Sequence, residues 1–470
     1  MLIGSSVLEH LKPLLGDPAT AIQYSAILGV GRLANHTEAS ADGIISHGIL
    51  PLIVLHLQRD NKYHKKAAAF ALRSVAKHSE RQGHAVIESG AIAHLVACCN
   101  EFDTLVREPA AWALGTIARH SEPMASAVIE ADGIPALVSC YKEPDLTLKR
   151  TAISALSDIS KHSEAMARLV IDAQILPSMS KDIEHEDSGV KRQVTACLAQ
   201  VAKHSDFCAE AVVASEAIPR CVMAVKDLNK VVGKNACSIL REVARHNENL
   251  AKQVVASGGI AALIEYMGDT NGINRLPAIM ALGYIASSEV LALAIIASGG
   301  VNPLREGLIE EPEDCVKAST AWCLGHIGQH SPEHARALIE VDILRRLLAV
   351  HLHEESSEDL RKKAKKAIKL IVAQATVVGM LEVMLVDSPP AVLKIIVRQI
   401  AKVLHNDIPG RKMFVQSRSL ERLQKINADP GSKLATAIAE VNSLYPPEIV
   451  SFYSPLYPEL LLKKIDEMKS

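Results

Sequence analysis

The chain has 470 residues, 49% hydrophobic and only 3% aromatic, with 51 Lys and Arg against 53 Asp and Glu for a formal charge of −2. A balance this close excludes a global attraction to nucleic acid or anionic lipid, so any charged binding surface has to be local. The apolar content is mostly Ala, Leu, Ile and Val, which favours closely packed helices over a β-rich protein, and the nine scattered cysteines read as buried free thiols of a reducing compartment.

The opening MLIGSSVLEHLKPLLG has neither a basic leader nor a continuous apolar run, and no uncharged apolar stretch of about 18 residues follows, so secretion and membrane crossing are not expected. VLEHLKPLLGD reads as the second helix of a repeat whose first helix is absent. That leaves an apolar end for a partner to cover, or marks a shortened member of its family.

From there a period takes over. His36, His78, His120, His162, His204 and His246 stand 42 residues apart, and His330 falls two periods further on, with Ser288 at the skipped place. Six residues before each lies an apolar side chain (Val30, Leu72, Leu114, Leu156, Leu198, Leu240, Leu282, Leu324), and two before it a small one, Ala34 through Gly328. The small residues let a neighbouring helix come close. A long helix therefore ends near each His. Thr37, Ser79, Ser121, Ser163, Ser205, Asn247 and Ser331 follow as caps of a short helix that opens with an acid such as Glu80 or Glu164. That helix stops at SGAI (89–92), ADGIP (131–135), SGGI (257–260) or SGGV (298–301), where Gly or a small polar residue permits the turn into a medium helix. Three helices per 42 residues make an armadillo unit rather than a two-helix HEAT unit. The expected fold is all-α, a right-handed armadillo solenoid of about eight regular repeats over 1–350, with a one-residue slip around Ser287 and Ser288. Residues 351–441 read as degenerate repeats, with 351–369 a charged loop leading into a basic helix. Residues 442–470 form a tail rich in Pro and aromatics, including Tyr445, Phe452, Tyr453 and Tyr457, expected to dock on the last repeats or on another protein.

No catalytic, cofactor or metal constellation emerges. One His per repeat spaces the imidazoles about 10 Å apart by helix packing, too far for a shared zinc ion with ligands about 2 Å away. Each is expected instead to finish its helix and bond to the backbone of the next repeat, half-buried or buried from His36 to His330. His326, His330 and His334 share a helical spacing, but the break after His330 is expected to send His334 elsewhere. The glycine pairs at 258–259 and 299–300 follow helices and do not make a phosphate loop.

The binding candidate is the face of the long helices. The position before the ladder is cationic in five consecutive repeats: Lys77, Arg119, Lys161, Lys203 and Arg245. Twelve before the ladder, Lys66, Arg150, Arg192 and Lys234 repeat the sign. Compensation of the helix dipole accounts for the first column but not for the second, which sits at helix amino ends. A basic groove for an acidic extended segment is the functional reading.

The segments KKAAAFALRSVAKHS (65–79), REPAAWALGTIARHSEPMASAVIEADGIPALV (107–138), LKRTAISALSDISKHSE (148–164), NRLPAIMALGYIA (274–286) and YPPEIVSFYSP (445–455) resemble the sperm-associated antigen six family, armadillo proteins of the axonemal central pair. The resemblance covers nearly the whole chain, and the family continues for roughly another repeat at the amino terminus. It implies a non-enzymatic structural scaffold of cilia and flagella that supports motility. The partners it implies are tubulin or microtubules and other central-apparatus proteins, with self-association along the filament possible and neither nucleic acid nor membrane as a partner. A nuclear-import adaptor is the main alternative. Its grooves carry a repeated Trp eight before the ladder and Asn four before, where this chain has only Trp112 and Trp322 in the first column and no Asn in the second. A catenin-like adhesion or signalling scaffold is the third reading.

Overall fold

A computed structural model of the chain describes residues 6–386 and 388–467; positions 1–5 of the amino-terminal stretch and 468–470 of the tail lie outside the described residues. The chain is an all-α solenoid of armadillo units and divides into two compact bodies, Met1–Ser257 and Gly258–Ser470. A regular unit of the first body is a nine-residue helix, a second of seven to nine residues and a long one of fifteen, as in Glu80–Glu88, Ala91–Cys99 and Thr104–Ala118, so the helix expected to be of medium length is no longer than the short one. The long helices of the first body, Thr20–His36, Lys62–Ala76, Thr104–Ala118, Leu146–Ser160, Ser188–Ala202 and Lys230–Ala244, each pack on the next and form a single layer. Leu72, Leu114, Leu156, Leu198 and Leu240 are fully buried in this stack, each contributing about 1.5–3 kcal/mol of apolar burial. Gly115 allows a close approach, since a Cβ there would come within 3.0 Å of the Ala155 backbone.

Three polar columns recur along the first body, two of them joining successive repeats and one capping the long helices. The His ladder is the first. His78, His120, His162, His204 and His246 direct Nε2 at the carbonyls of Ala34, Ala76, Ala118, Ser160 and Ala202, at 2.6–2.8 Å. A carbonyl only accepts, so Nε2 carries the proton. The bond runs to the preceding repeat and not the following one, because the imidazole sits just past its own helix end, beside the last turn of the helix before it. His36 has no repeat described ahead of it; it is exposed, contrary to the expectation of a row buried from its first member.

The second column is a set of cross-repeat pairs that the His period does not announce. Arg107 Nη1 meets Glu143 at 2.7 Å, Lys149 meets Asp182 at 3.4 Å, and Lys65 and Lys191 pair with Glu101 and Asp227. At the head of the column the polarity reverses, with Arg59 donating to Gln23. The third column caps the long helices. Asn61, Asp103, Asp145, Asp187 and Asn229, again 42 apart, accept backbone amides of the first turn.

The short-helix caps are less uniform than expected. Thr37, Ser205 and Asn247 accept an amide, whereas Ser79, Ser121, Ser163 and Ser331 hold the extended cap conformation without that bond. The turn after the short helix takes a left-handed residue at Gly48, Gly90, Asp132, Gln174, Glu216 and Gly258. Gln174 and Glu216 are neither glycine nor small, so the turn accepts a longer side chain at a cost in backbone strain.

In the second body the slip is visible. Leu276–Ile285 is short and preceded by a 3-10 turn, Gly272–Arg275, and Ser288 stands at the amino cap of Glu289–Ala297, which puts Ser287 in the place of the His. His330 resumes the ladder on Ala286 at 2.7 Å, and Arg275 resumes the pairs on Glu311 at 2.7 Å. The stretch 351–369 ends Ile343–Leu352 and opens Glu358–Gln374, a seventeen-residue helix packed on Asp314–Gly328. His334 does not leave His330: the rings lie 5.6 Å apart, and its Nε2 reaches the Glu289 carbonyl at 3.0 Å. Eight cysteines are buried, but Cys315 is exposed. No single helix among the described residues is long and apolar enough to cross a membrane.

Candidate functional site: the long-helix face of the first body

All nine cations singled out from the sequence lie in the first body, on the long helices or one residue past their ends. The column before the ladder is contiguous. Burial is the main cause holding the Lys203 ammonium below the ordinary lysine range, and the charges of Lys161 and Arg245 add to it. Much of this column also serves the scaffold. Lys77 Nζ donates to the Asn35 carbonyl at 2.6 Å, and Arg245 Nη2 to the Lys203 carbonyl at 2.8 Å, each capping the preceding repeat's helix. Arg119 reaches the Lys77 carbonyl only at 3.5 Å. Lys161 pairs with Asp158 at 3.0 Å, Lys203 donates to Gln200 at 2.7 Å, and Arg245 pairs with Glu242 at 2.9 Å. The ladder-minus-four positions thus supply local acceptors, which dilutes the positive potential of the column.

The second column is interrupted where the sequence reading passed over Glu108, which stands between Lys66 and Arg150 in the same phase. Burial pushes the Glu108 carboxyl above the ordinary range, while Lys66 and Arg73 pull the other way. Arg150 bonds its own helix at the Leu146 carbonyl, 3.0 Å, and lies 3.9 Å from the cap Asp187. Cations at a helix amino end are therefore answered in part by the acid that caps the next long helix. Arg192 is exposed and has no ion pair among the described residues.

Three successive long helices, Thr104–Ala118, Leu146–Ser160 and Ser188–Ala202, enclose a cleft of about 380 Å³. Arg119, Arg150 and Arg192 line it together with Trp112, Glu108 and Asp158. Lys66, Lys77, Lys161, Lys203, Lys234 and Arg245 are not part of its wall. Burial raises the Asp158 carboxyl, opposed by Lys161 and Arg119. Trp112 is half-exposed, and the Arg73 guanidinium stacks 3.8 Å from its ring centroid. The sequence reading missed Glu108, Asp158 and Arg73 here. The signal for Glu108 was its phase, twelve before His120.

The tail residues form two short helices, Pro447–Tyr453 and Tyr457–Glu467. Tyr445 anchors their base by donating its hydroxyl to the Arg411 carbonyl at 3.2 Å, and burial pushes that phenol up to about 12. Phe452 packs edge-on against Tyr453 and Tyr457 at 5.1 and 5.4 Å. Phe452, Leu456 and Leu462 nevertheless remain more than half exposed. Among the described residues no cluster of His, Cys, Asp or Glu is arranged to hold a metal ion.

The armadillo/beta-catenin-like repeat family matches residues 80–119. The fold matches the crystal structure of an engineered protein solved by a structural genomics consortium, with a TM-score of 0.76 and 21% identity, covering 94% of this chain and 99% of that one. Over 159 residues, 34% of its length, the chain is 50% identical to Sperm-associated antigen 6 of Homo sapiens and 48% identical to that of Mus musculus. The matched stretch spans 31% of each relative's length; it agrees with the family resemblance read from the sequence, but covers a third of the chain and not nearly the whole of it.

Proposed function

We propose that the chain is a non-enzymatic scaffold of the ciliary and flagellar axoneme, associated with the microtubules of the central pair and supporting motility. The observation that carries this reading is the half-identity to Sperm-associated antigen 6. The long-helix face of the first body is its binding surface. Its ligand is an acidic extended segment, for which the tail of tubulin has the right chemistry. Single exposed pairings are worth only about 0.2–1 kcal/mol, so binding by Lys66, Lys77, Arg119, Arg150, Lys161, Arg192, Lys203, Lys234 and Arg245 is multivalent and weakened by salt. The exposed Phe452 and Leu462 make the tail a second contact, for other central-apparatus proteins or for another copy along the filament.

Arg73 covers one face of Trp112, which is unsuited to a groove that stacks basic cargo on tryptophan, and this disfavours an import adaptor. Fluorescent tagging of the chain in a flagellated cell tests the proposal. Signal along the axoneme's central pair is expected. Nuclear accumulation would favour the import adaptor, and enrichment at cell junctions the catenin-like scaffold; either would overturn the axonemal reading.

A further inference from the structure

The geometry points to a phosphoryl subsite within the basic face: the cleft walled by Arg119, Arg150 and Arg192 takes the dianionic phosphate of a phosphorylated serine or threonine carried on an extended peptide. This deepens the acidic-segment reading above and rests on it.

Among the nine cations of the face, arginines converge only here. One comes from each of three successive repeats, and all three line the same cleft of about 380 Å³. A guanidinium offers a planar fork of donors that matches phosphate oxygens two at a time, whereas a lysine offers a mobile point charge. The lysines elsewhere on the face suit a diffuse acidic chain; three forks around one cleft suit a compact dianion. Thr147, Thr151 and Ser154 line the same wall and add hydroxyl donors between the arginines.

The two carboxylates of the cleft reduce this charge without cancelling it, because cations outside the cleft wall answer them in addition to Arg119. Asp158 is held by Lys161 at 3.0 Å. Glu108 lies in the field of Lys66 and Arg73. The arginines are committed to different degrees, Arg150 the most, with Nε on the Leu146 carbonyl at 3.0 Å and Nη2 on the Thr147 hydroxyl at 3.3 Å, both neutral acceptors. Arg192 has no ion pair among the described residues, Arg150 lies 3.9 Å from Asp187, and Arg119 makes a 3.5 Å contact with a neutral carbonyl. Their charge is thus available to a ligand. A phosphoserine or phosphothreonine carries about −1.5 to −2 at neutral pH with three acceptor oxygens, against a single charge and two oxygens for glutamate. The cleft should therefore discriminate between them and not merely sum charge.

The test uses the full chain and three short fluorescent peptides of glutamate and glycine, identical except for a central serine, glutamate or phosphoserine. Anisotropy at low salt is expected to show the phosphoserine peptide binding about tenfold more tightly than the glutamate peptide. The triple variant Arg119→Lys, Arg150→Lys, Arg192→Lys keeps every charge, and the ratio of phosphoserine to glutamate affinity, read whatever happens to the glutamate affinity itself, should fall from about tenfold to about twofold or less. Circular dichroism checks that the variant is folded; should it not be, the single change Arg192→Lys at an exposed position is expected to lose part of the same advantage. Equal affinities for the phosphoserine and glutamate peptides in the parent chain would overturn the subsite and leave the acidic groove standing. So would an advantage that survives in the lysine variant. Inorganic phosphate that competes as well as the phosphoserine peptide would overturn the assignment to a peptide. Failure of all three peptides to bind would remove the acidic-segment reading itself.

Discussion

The two bodies of the molecule solve the same stacking problem with different regularity. In Met1–Ser257 the His bonds, the cross-repeat pairs and the Asn/Asp caps recur with little interruption, so each interface repeats the last. In Gly258–Ser470 the slip at Ser287 and Ser288 breaks the count before His330 and Arg275 resume it, and where the first body stacks Arg73 on Trp112 the same phase of the long-helix face holds an aromatic cluster. Tyr284 meets Trp322 edge-on at 5.2 Å, and Trp322 meets His326 at 4.8 Å. The comparison teaches that the polar columns are the scaffold's register marks. The side chains left over on the long-helix face differ between the bodies: a guanidinium covers Trp112 in the first, whereas Tyr284 and His326 flank Trp322 in the second.

The comparison breaks most visibly at the cross-repeat pairs. Arg107 is 6% exposed and serves Glu143 and Ser139, so Arg107→Ala should lower unfolding stability by about 2–4 kcal/mol. Arg275→Ala should cost a similar amount in the second body because it strands the buried Glu311. Urea unfolding checks both, and a loss confined to one body would show that the column does not act alike in the two.

Next in size is the ladder. His162→Ala leaves the Ala118 carbonyl without its donor and should cost about 1–3 kcal/mol. His36→Ala, at an exposed position, should cost less than about 0.5 kcal/mol. Equal losses would contradict the assignment of the stabilisation to the cross-repeat bond.

A smaller effect of opposite sign belongs to the turns. Gln174 at φ 54° does strained what Gly90 at φ 78° does freely. Gln174→Gly should raise the stability of the first body by up to about 1 kcal/mol, and Gly90→Ala should lower it by a similar amount. Thermal melts of the two variants check the pair.

The smallest effect is on pH. Burial lowers His56, His64 and His204 in the first body and His326 in the second below the ordinary imidazole range. The unfolded chain then binds more protons than the folded one in the interval below about 6.5. Stability from these groups is therefore fully present above that pH and is lost as pH falls through the lowered folded values. Unfolding midpoints measured on either side of pH 6.5 should show the first body weakening more, since it holds three of the four. A first body that gained stability on acidification would contradict the sign.

The period, the helix ends and the slip at Ser287 and Ser288 were legible in the sequence because each is a property of one column. The pairing between columns was not. That His78 reaches back to Ala34, or that Arg107 meets Glu143 thirty-six residues on, depends on how far each repeat rotates against the last, and no single column encodes that rotation. The cations of the candidate face were legible as charges, but their partners were not. Asp158 and Glu242 take up Lys161 and Arg245 from one turn away, and Glu108 stands in the column of Lys66, Arg150, Arg192 and Lys234, where reading the basic members alone passes over it.

We propose that the cations of the first body's long-helix face, Lys66 and Arg192 among them, bind acidic tails on microtubules. Co-sedimentation at low salt, with microtubules whose acidic carboxy-terminal tails are intact or proteolytically removed, tests it most directly. The account predicts binding to intact microtubules that is lost when the tails are removed, and that falls sharply for Lys66→Glu with Arg192→Glu while helix content stays unchanged. Binding that persists equally without the tails and in the double variant would contradict it.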